Sequence, residues 1–454
     1  MFKRKSLALL ATVATLASAS AVHAQSLSEA LASAYNNSGL LEQNRALLRA
    51  ADEGVAQSVA ATLPVINWSV SATRTRITSP TTTTTNAANA RISGSLILYD
   101  GGTGDLGVEA QKEIVLGTRQ ALRGIEQDIL LRAVQAYTNV LSAREFLQLR
   151  ESNVRLITQE FRAAQDRFEV GAVTRTDVSL AEARLASARS LLAAAQGDLA
   201  IAAEEFNVAI GRMPTSPRNV NPAPVSQTLS QAKAFAVRNH PAILEAQHSV
   251  AAAELNIRRA EAATRPQITL DGFVSIDQDG NDTSQIGINM GGPIYQGGLI
   301  FSGYRQVLAN RDAARSGLLL ITQSVEQQVA NSFAQLQVAR ATRQASDQQI
   351  SAAQVAFDGV REEAQLGSRT TLDVLNAEQE LLDARANKIA AQANEVVASY
   401  ALLSAMGILT ADHLNLAVQQ YDPSAYYNMV KDSPIPFSEQ GQALQRVLEA
   451  IGQE

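Results

Sequence analysis

The stretches VGAVTRTDVSLAEARLASAR (Val170–Arg189) and LGSRTTLDVLNAEQELLDAR (Leu366–Arg385) are two versions of one sequence. Gly171 aligns with Gly367, Asp177 with Asp373, Glu182 with Glu378 and Arg189 with Arg385, all at an offset of 196 residues. The offset holds upstream, where Leu98-Tyr99-Asp100-Gly101-Gly102 matches Ile294-Tyr295-Gln296-Gly297-Gly298, and downstream at Gly211 and Gly407. Nearer each N-terminus it becomes 202, with LSEA (Leu27–Ala30) against LSQA (Leu229–Ala232) and Pro64 against Pro266. A fixed internal period is the mark of a duplicated structural unit. The change of six falls between Pro64 and Tyr99. The Thr- and Asn-rich segment Ser79–Ala90 is the expected loop that absorbs it, because loop tips tolerate insertions.

Working outward, each unit has the same expected parts. An Ala-, Leu- and Gln-rich helix covers about Leu27–Ala61 and Leu229–Ala263, ended by a proline. The period then changes from helical to alternating. In the first unit Ile66, Trp68, Val70 and Ala72 alternate with Asn67, Ser69, Ser71 and Thr73, and Ile92, Leu96 and Leu98 face Arg91, Ser93 and Ser95. In the second, Ile268, Leu270, Val274 and Ile276 are followed by Ile286, Ile288 and Met290. These predict strands over about 64–74, 91–99, 266–277 and 284–294. A tilted strand of about 9–11 residues, apolar outside and polar inside, spans a bilayer. An ordinary half-buried hairpin shows the same alternation, but no second apolar layer exists elsewhere to cover these faces.

Helical hairpins follow at about 103–211 and 299–407. The segment from Gly104 to Phe168 contains no proline and could extend close to ~100 Å at ~1.5 Å per residue. Val140, Leu147, Val154, Phe161 and Phe168 recur every seventh residue, as do Val178, Leu185, Leu192, Leu199 and Phe206, and Leu375, Leu382, Ile389, Val396 and Leu403. Sustained sevenfold spacing is a coiled-coil seam. The first unit therefore occupies 25–212 and the second 229–411, joined by a proline-rich linker over 213–228. A tail over 412–454 is either disordered or a collar around the helices. The fold class is mainly α with a small β part.

Composition narrows the function. MFKRKSLALLATVATLASASAVHA has a basic start, a short apolar core and small residues before Ala24, the pattern of a secretory signal peptide over 1–24. Its loss removes Lys3, Arg4 and Lys5 and takes the net charge from −6 to −9, a poor match to nucleic acid. The chain has no cysteine, which excludes disulfides, thiol nucleophiles and a lipid-modified cysteine. No mature segment approaches the ~20 apolar residues of a spanning helix, so any passage through a membrane is as a β-barrel. Four strands cannot close one, since the smallest closed membrane barrels have about eight. Several chains must share it, with cyclic symmetry.

The ordered set of features, with the YDGG and YQGG turns and the two Gly-containing motifs in both halves, resembles the TolC family of outer-membrane efflux and secretion ducts up to about Leu416. The resemblance implies a homotrimer with a shared twelve-stranded transmembrane β-barrel and a long helical barrel in the periplasm of a Gram-negative bacterium. It implies no catalysis and no cofactor. It implies docking to a periplasmic adaptor (membrane fusion) protein and an inner-membrane efflux pump or ABC-type exporter. Gly171 and Gly367 then make the turns of the periplasmic tip. Arg369 latches the tip by bonding to Thr176 and Asp177 of the other repeat. Asp373 and Asn376 occupy the charge ring of the constriction. Two departures stand out: Ala364 replaces a tyrosine that often joins the latch, and Asn376 replaces a second aspartate. A latch that is weaker or built differently, and weaker cation binding, are expected.

Other readings are less supported. Asp177 and Asp373 as paired catalytic carboxylates would need a closed cleft, which nothing around them suggests. His240, His248 and His413 are too scattered for a zinc site. Gly101-Gly102 and Gly297-Gly298 lack the lysine-serine of a phosphate loop and fit strand-to-helix turns. Trp68, Tyr99 and Tyr295 fit either an interfacial belt or ordinary packing. The main alternative to a duct is a non-conducting coiled-coil stalk resembling an adhesin.

Overall fold

The structure is a computed structural model that describes residues 25–451; the signal peptide expected over 1–24 lies outside the described residues. The first unit runs α1 (Leu27–Asn37), α2 (Gly39–Ala60), β1 (Val65–Thr78), β2 (Thr82–Tyr99), α3 (Thr103–Glu169) and α4 (Arg175–Ile210). The second runs α5 (Leu229–Asn239), α6 (Pro241–Ala262), β3 (Gln267–Asp277), β4 (Asp282–Gly291), α7 (Leu299–Gln365) and α8 (Thr371–Ala405). Two short helices follow, α9 (Pro423–Val430) and α10 (Glu439–Ile451).

The long helices start where glycine allows. Gly102 and Gly298 sit at φ 90° and 87° at the N-caps of α3 and α7, a left-handed conformation that costs glycine little. Each of these helices then runs 67 residues, about 100 Å at the usual rise. The seven-residue lines are buried or half-buried along their length, apart from Phe168 beside the tip, which is 44% exposed.

Two expectations need correction. The helices expected over Leu27–Ala61 and Leu229–Ala263 are each broken. Ser38 leaves α1 and caps α2, accepting from the Leu41 N–H. His240 does the same for α6 through Nδ1 to the Ala242 N–H, with Pro241 at the first helical position, where proline is tolerated. The segment Ser79–Ala90 is not a loop. Thr82–Ala90 belongs to β2 and pairs with Val70–Thr78 of β1, so the six extra residues lengthen both strands of the first hairpin. Threonine is β-branched and favours strands.

The sheet is antiparallel throughout, in the order β1-β2-β3-β4. The main core lies midway along the long helices, where α1 meets α3, α4 and α8. Tyr137 is fully buried there, and its hydroxyl lies 2.7 Å from the Gln25 carbonyl and 2.9 Å from the Arg218 carbonyl. The Ala223 N–H donates to Ser399 Oγ at 2.8 Å, which fastens the linker to α8. A smaller cluster joins α5, α6 and α7 to the end of α8. The C-terminal segment folds back onto α2: Tyr426 and Val430 cover Ala56, and Tyr426 Oη donates to Glu53 at 2.6 Å.

Candidate functional site

The tip is built twice. At the end of α3 the Gly171 N–H bonds to the Phe168 carbonyl and the Ala172 N–H to the Arg167 carbonyl, and Gly171 takes φ 75°. At the end of α7 the Gly367 N–H bonds to Ala364, the Ser368 N–H to Glu363, and Gly367 takes φ 80°. This is the glycine-terminated helix end. No atom within 4 Å would meet an added Cβ at either glycine, so backbone conformation, not space, requires glycine there.

The next helix starts with a capping box in each copy. Asp177 accepts from the Thr174 N–H at 2.8 Å and its hydroxyl at 2.7 Å, while the Asp177 N–H points back to Thr174 Oγ1. Thr370 and Asp373 repeat this at 2.9 and 2.8 Å. These bonds from Thr174 and Thr370 hold both carboxyls below the usual aspartate range. Sequence reasoning assigned Asp177 and Asp373 to a latch and a ring and overlooked the cap, although Thr-x-x-Asp ahead of a helix is its signature.

Arg369 does not meet Thr176 or Asp177 within one chain. Its Nε donates to Glu363 Oε2 at 2.8 Å, with both side chains half exposed. That hydrogen bond, with the Glu363 and Asp373 charges, raises the guanidinium pKa further. Asn376 is exposed one turn beyond Asp373, and Thr176 is exposed at the start of α4. Ala364 packs against the cluster of Phe357, Val374 and Leu381.

One residue near the tip was missed. Glu378 is 3% exposed at the contact of α3 with α8. Asn153 Nδ2 donates to its Oε1 at 2.8 Å, and Oε2 has no partner. Burial, aided by the nearby Glu160 charge, pushes this carboxyl up to about 7. The available signal was an acid within an apolar stripe, between Val374 and Leu381. Its partner lies 225 residues away in sequence.

The sheet at the other end has two distinct faces. Paired residues put Ile66, Gly94, Gly272 and Ile286 in one row and Trp68, Ile92, Val274 and Ser284 in the next. Trp68 and Ile286 are 79% and 78% exposed. On the opposite face Ser95, Thr269 and Asn289 donate to Asp271 at 2.6, 2.6 and 2.8 Å. Arg91 stacks 3.6 Å above the Phe273 ring. β1 and β4 are the edges of this sheet. His248 pairs with Glu113 at 2.7 Å and His240 caps α6, so neither is free for a shared metal. Among the described residues no group of three His, Cys, Asp or Glu is placed to hold a metal, and no helix is long and apolar enough to cross a membrane.

The family model described as "Outer membrane efflux protein" matches residues 30–212 and 235–408. The chain is 36% identical to the outer membrane efflux protein BepC of Brucella suis over 92% of its own length and 93% of that protein. It is 26% identical to the outer membrane protein TolC of Escherichia coli, covering 64% of this chain and 63% of TolC. A crystal structure of CusC, described for folding and transmembrane channel formation, superposes with a TM-score of 0.76 at 21% identity, over 84% of this chain and 91% of CusC. The chain thus shares the overall fold of that structure. The chain belongs to the outer membrane efflux protein family, whose members are channels of the outer membrane rather than enzymes.

Proposed function

We propose that three copies of this chain form one exit duct, serving a tripartite efflux pump or a type I secretion system. The observation that carries this reading is the four-stranded sheet, apolar on one face and polar on the other, with both edges free. Three such sheets joined β4 to β1 make twelve strands. Closure removes every edge, as lipid demands. The apolar rows then face lipid, and Asp271, Arg91 and their neighbours line water. The 67-residue helices continue the wall into the periplasm. The folded-back C-terminal segment lies outside α2 as part of a collar. A periplasmic adaptor (membrane fusion) protein and an inner-membrane efflux pump or ABC-type exporter complete the path.

The tip is the gate. In the assembled duct Arg369 exchanges Glu363 for Thr176 and Asp177 of a first-repeat tip, and Asp373 with Asn376 surrounds the opening. With Ala364 in place of a tyrosine, this latch has one member fewer.

The polar face of the sheet separates a duct from a non-conducting stalk, which needs an apolar axis. The test is purified protein in planar lipid bilayers. Discrete conductance steps are expected, and silence from both the wild type and Arg369→Ser would overturn the duct.

A further inference from the structure

The duplication supplies one charged site twice, once bare and once covered. α2 lies on α3 as α6 lies on α7, and α9 packs on α2. Asp52 on α2 corresponds to Glu254 on α6 at the offset of 202, and Arg119 on α3 corresponds to Arg315 on α7 at the offset of 196. In the second unit Arg315 and Glu254 form an ion pair at 2.7 Å, with both side chains about half exposed. In the first unit the pair is not made. Asp52 is fully buried, and among the described residues neither of its carboxyl oxygens has a hydrogen-bond partner. Arg119 Nε also lacks one, and its guanidinium lies 5.2 Å from the centre of the Tyr427 ring on α9.

The cover is made of tyrosines. Tyr421 and Tyr427 pack against Leu48, Val55 and Val115, and Tyr426 packs on Ala56 while donating to Glu53. The charged and titratable groups around Asp52 come from three elements. α2 contributes Arg45, Arg49 and Glu53, α3 contributes Arg119, and the C-terminal segment contributes Tyr421, Asp422, Tyr426 and Tyr427. A buried carboxyl without donors favours its neutral form. Burial outweighs the Arg119 charge and, with Glu53 adding to it, pushes Asp52 up to about 6. Burial also holds the Tyr421 and Tyr426 hydroxyls above the ordinary tyrosine range, and Ser424 holds Asp422 below the aspartate range.

We propose that the C-terminal segment is a pH-dependent strap: it closes over α2 while Asp52 is protonated, and ionisation of Asp52 lifts it, so that Arg119 leaves Tyr427 and pairs with the carboxylate as Arg315 pairs with Glu254. The closed strap raises the Asp52 pKa above its ordinary 3.8. Closure is therefore fully favoured below that value and weakens as pH rises through about 6. Between pH 5 and pH 7.5 the opening equilibrium should rise about tenfold.

Hydrogen–deuterium exchange of the detergent-purified full chain tests the strap. Protection of the α9 amides over 427–431 is corrected for the intrinsic pH dependence of exchange. It should fall about tenfold from pH 5 to pH 7.5, while the α6 amides beside the bare pair show no such fall. Asp52→Asn should abolish the dependence. Arg119→Gln removes the one nearby charge that lowers the Asp52 pKa on the α3 side, so it should move the midpoint to higher pH. Protection independent of pH in the wild type, or an equal fall in Asp52→Asn, would overturn the strap. A midpoint unmoved or lowered in Arg119→Gln would overturn the exchange of partners by Arg119.

Discussion

Arg369 is a half-exposed cation already engaged by Glu363 at 2.8 Å. An exposed pair of this kind adds little stability, so it yields readily to a better partner in the proposed assembled tip. Arg369→Ser should therefore raise single-channel conductance, and an unchanged conductance would assign closure to other contacts. Asn376 removes one charge from each turn that carries Asp373. Block by multivalent cations should be weak in the wild type and stronger in Asn376→Asp; equal block in both would take these residues out of the constriction. Glu378 makes a different prediction. Its carboxyl titrates at about 7 in the fold against an ordinary 4.5. The folded state holds a proton that the unfolded chain releases, so stability is greatest below the ordinary value and declines as pH rises towards and past 7. At ~1.4 kcal/mol per unit the loss is on the order of 3 kcal/mol. Glu378→Gln should flatten the fall in thermal stability between pH 5 and pH 8, and an equally steep fall in the variant would contradict this assignment. The capping role of Asp177 and Asp373 was overlooked, whereas the turn glycines of the tip were legible because two copies could be compared. The burial of Glu378 was not, because a carboxylate in an apolar stripe is explained only by the distant Asn153 that meets it.

At the scale of elements, the caps and the sheet face carry measurable weight. Thr370→Ala removes the Oγ1 bonds of the α8 capping box and leaves the residue 370 N–H bonded to Asp373, which should cost about 1 kcal/mol. Faster amide exchange over residues 371–376 than over 175–180, with no change in the α8 interior, would report it. In the sheet, Ile288 faces outward and is 68% exposed. Ile288→Arg should impair membrane integration by about 2–4 kcal/mol if it lies near the bilayer midplane, whereas Gln285→Arg on the opposite face should be tolerated. Equal effects of the two would contradict the assignment of faces. The long helices and alternating strands were readable because their periods extend over many residues. The breaks at Ser38 and His240 were hidden, since the apolar pattern continues across them and a single capping side chain makes each turn. The upper part of the first hairpin was misread because Thr82–Ala90 has no apolar face. The pairing of its backbone with β1 makes it a strand.

The whole molecule is incomplete as one chain. Its sheet has two open edges, its outer rows expose Trp68 and Ile286 to solvent, and α4 and α7 leave apolar flanks uncovered. No internal rearrangement of four strands covers both an apolar face and two edges, whereas the three copies proposed above would do so by repeating one contact. The C-terminal segment was the least legible part of the chain. It has no second copy for comparison, and its anchors are single residues spread along it: Leu416 in the main core, Tyr421 and Tyr427 beside Leu48, Val55 and Val115, and Tyr426 and Val430 against α2. The shared barrel is tested most directly by native mass spectrometry of the detergent-extracted, unboiled protein. A particle of three chains is expected. A particle of one, two or four chains would contradict the twelve-stranded barrel.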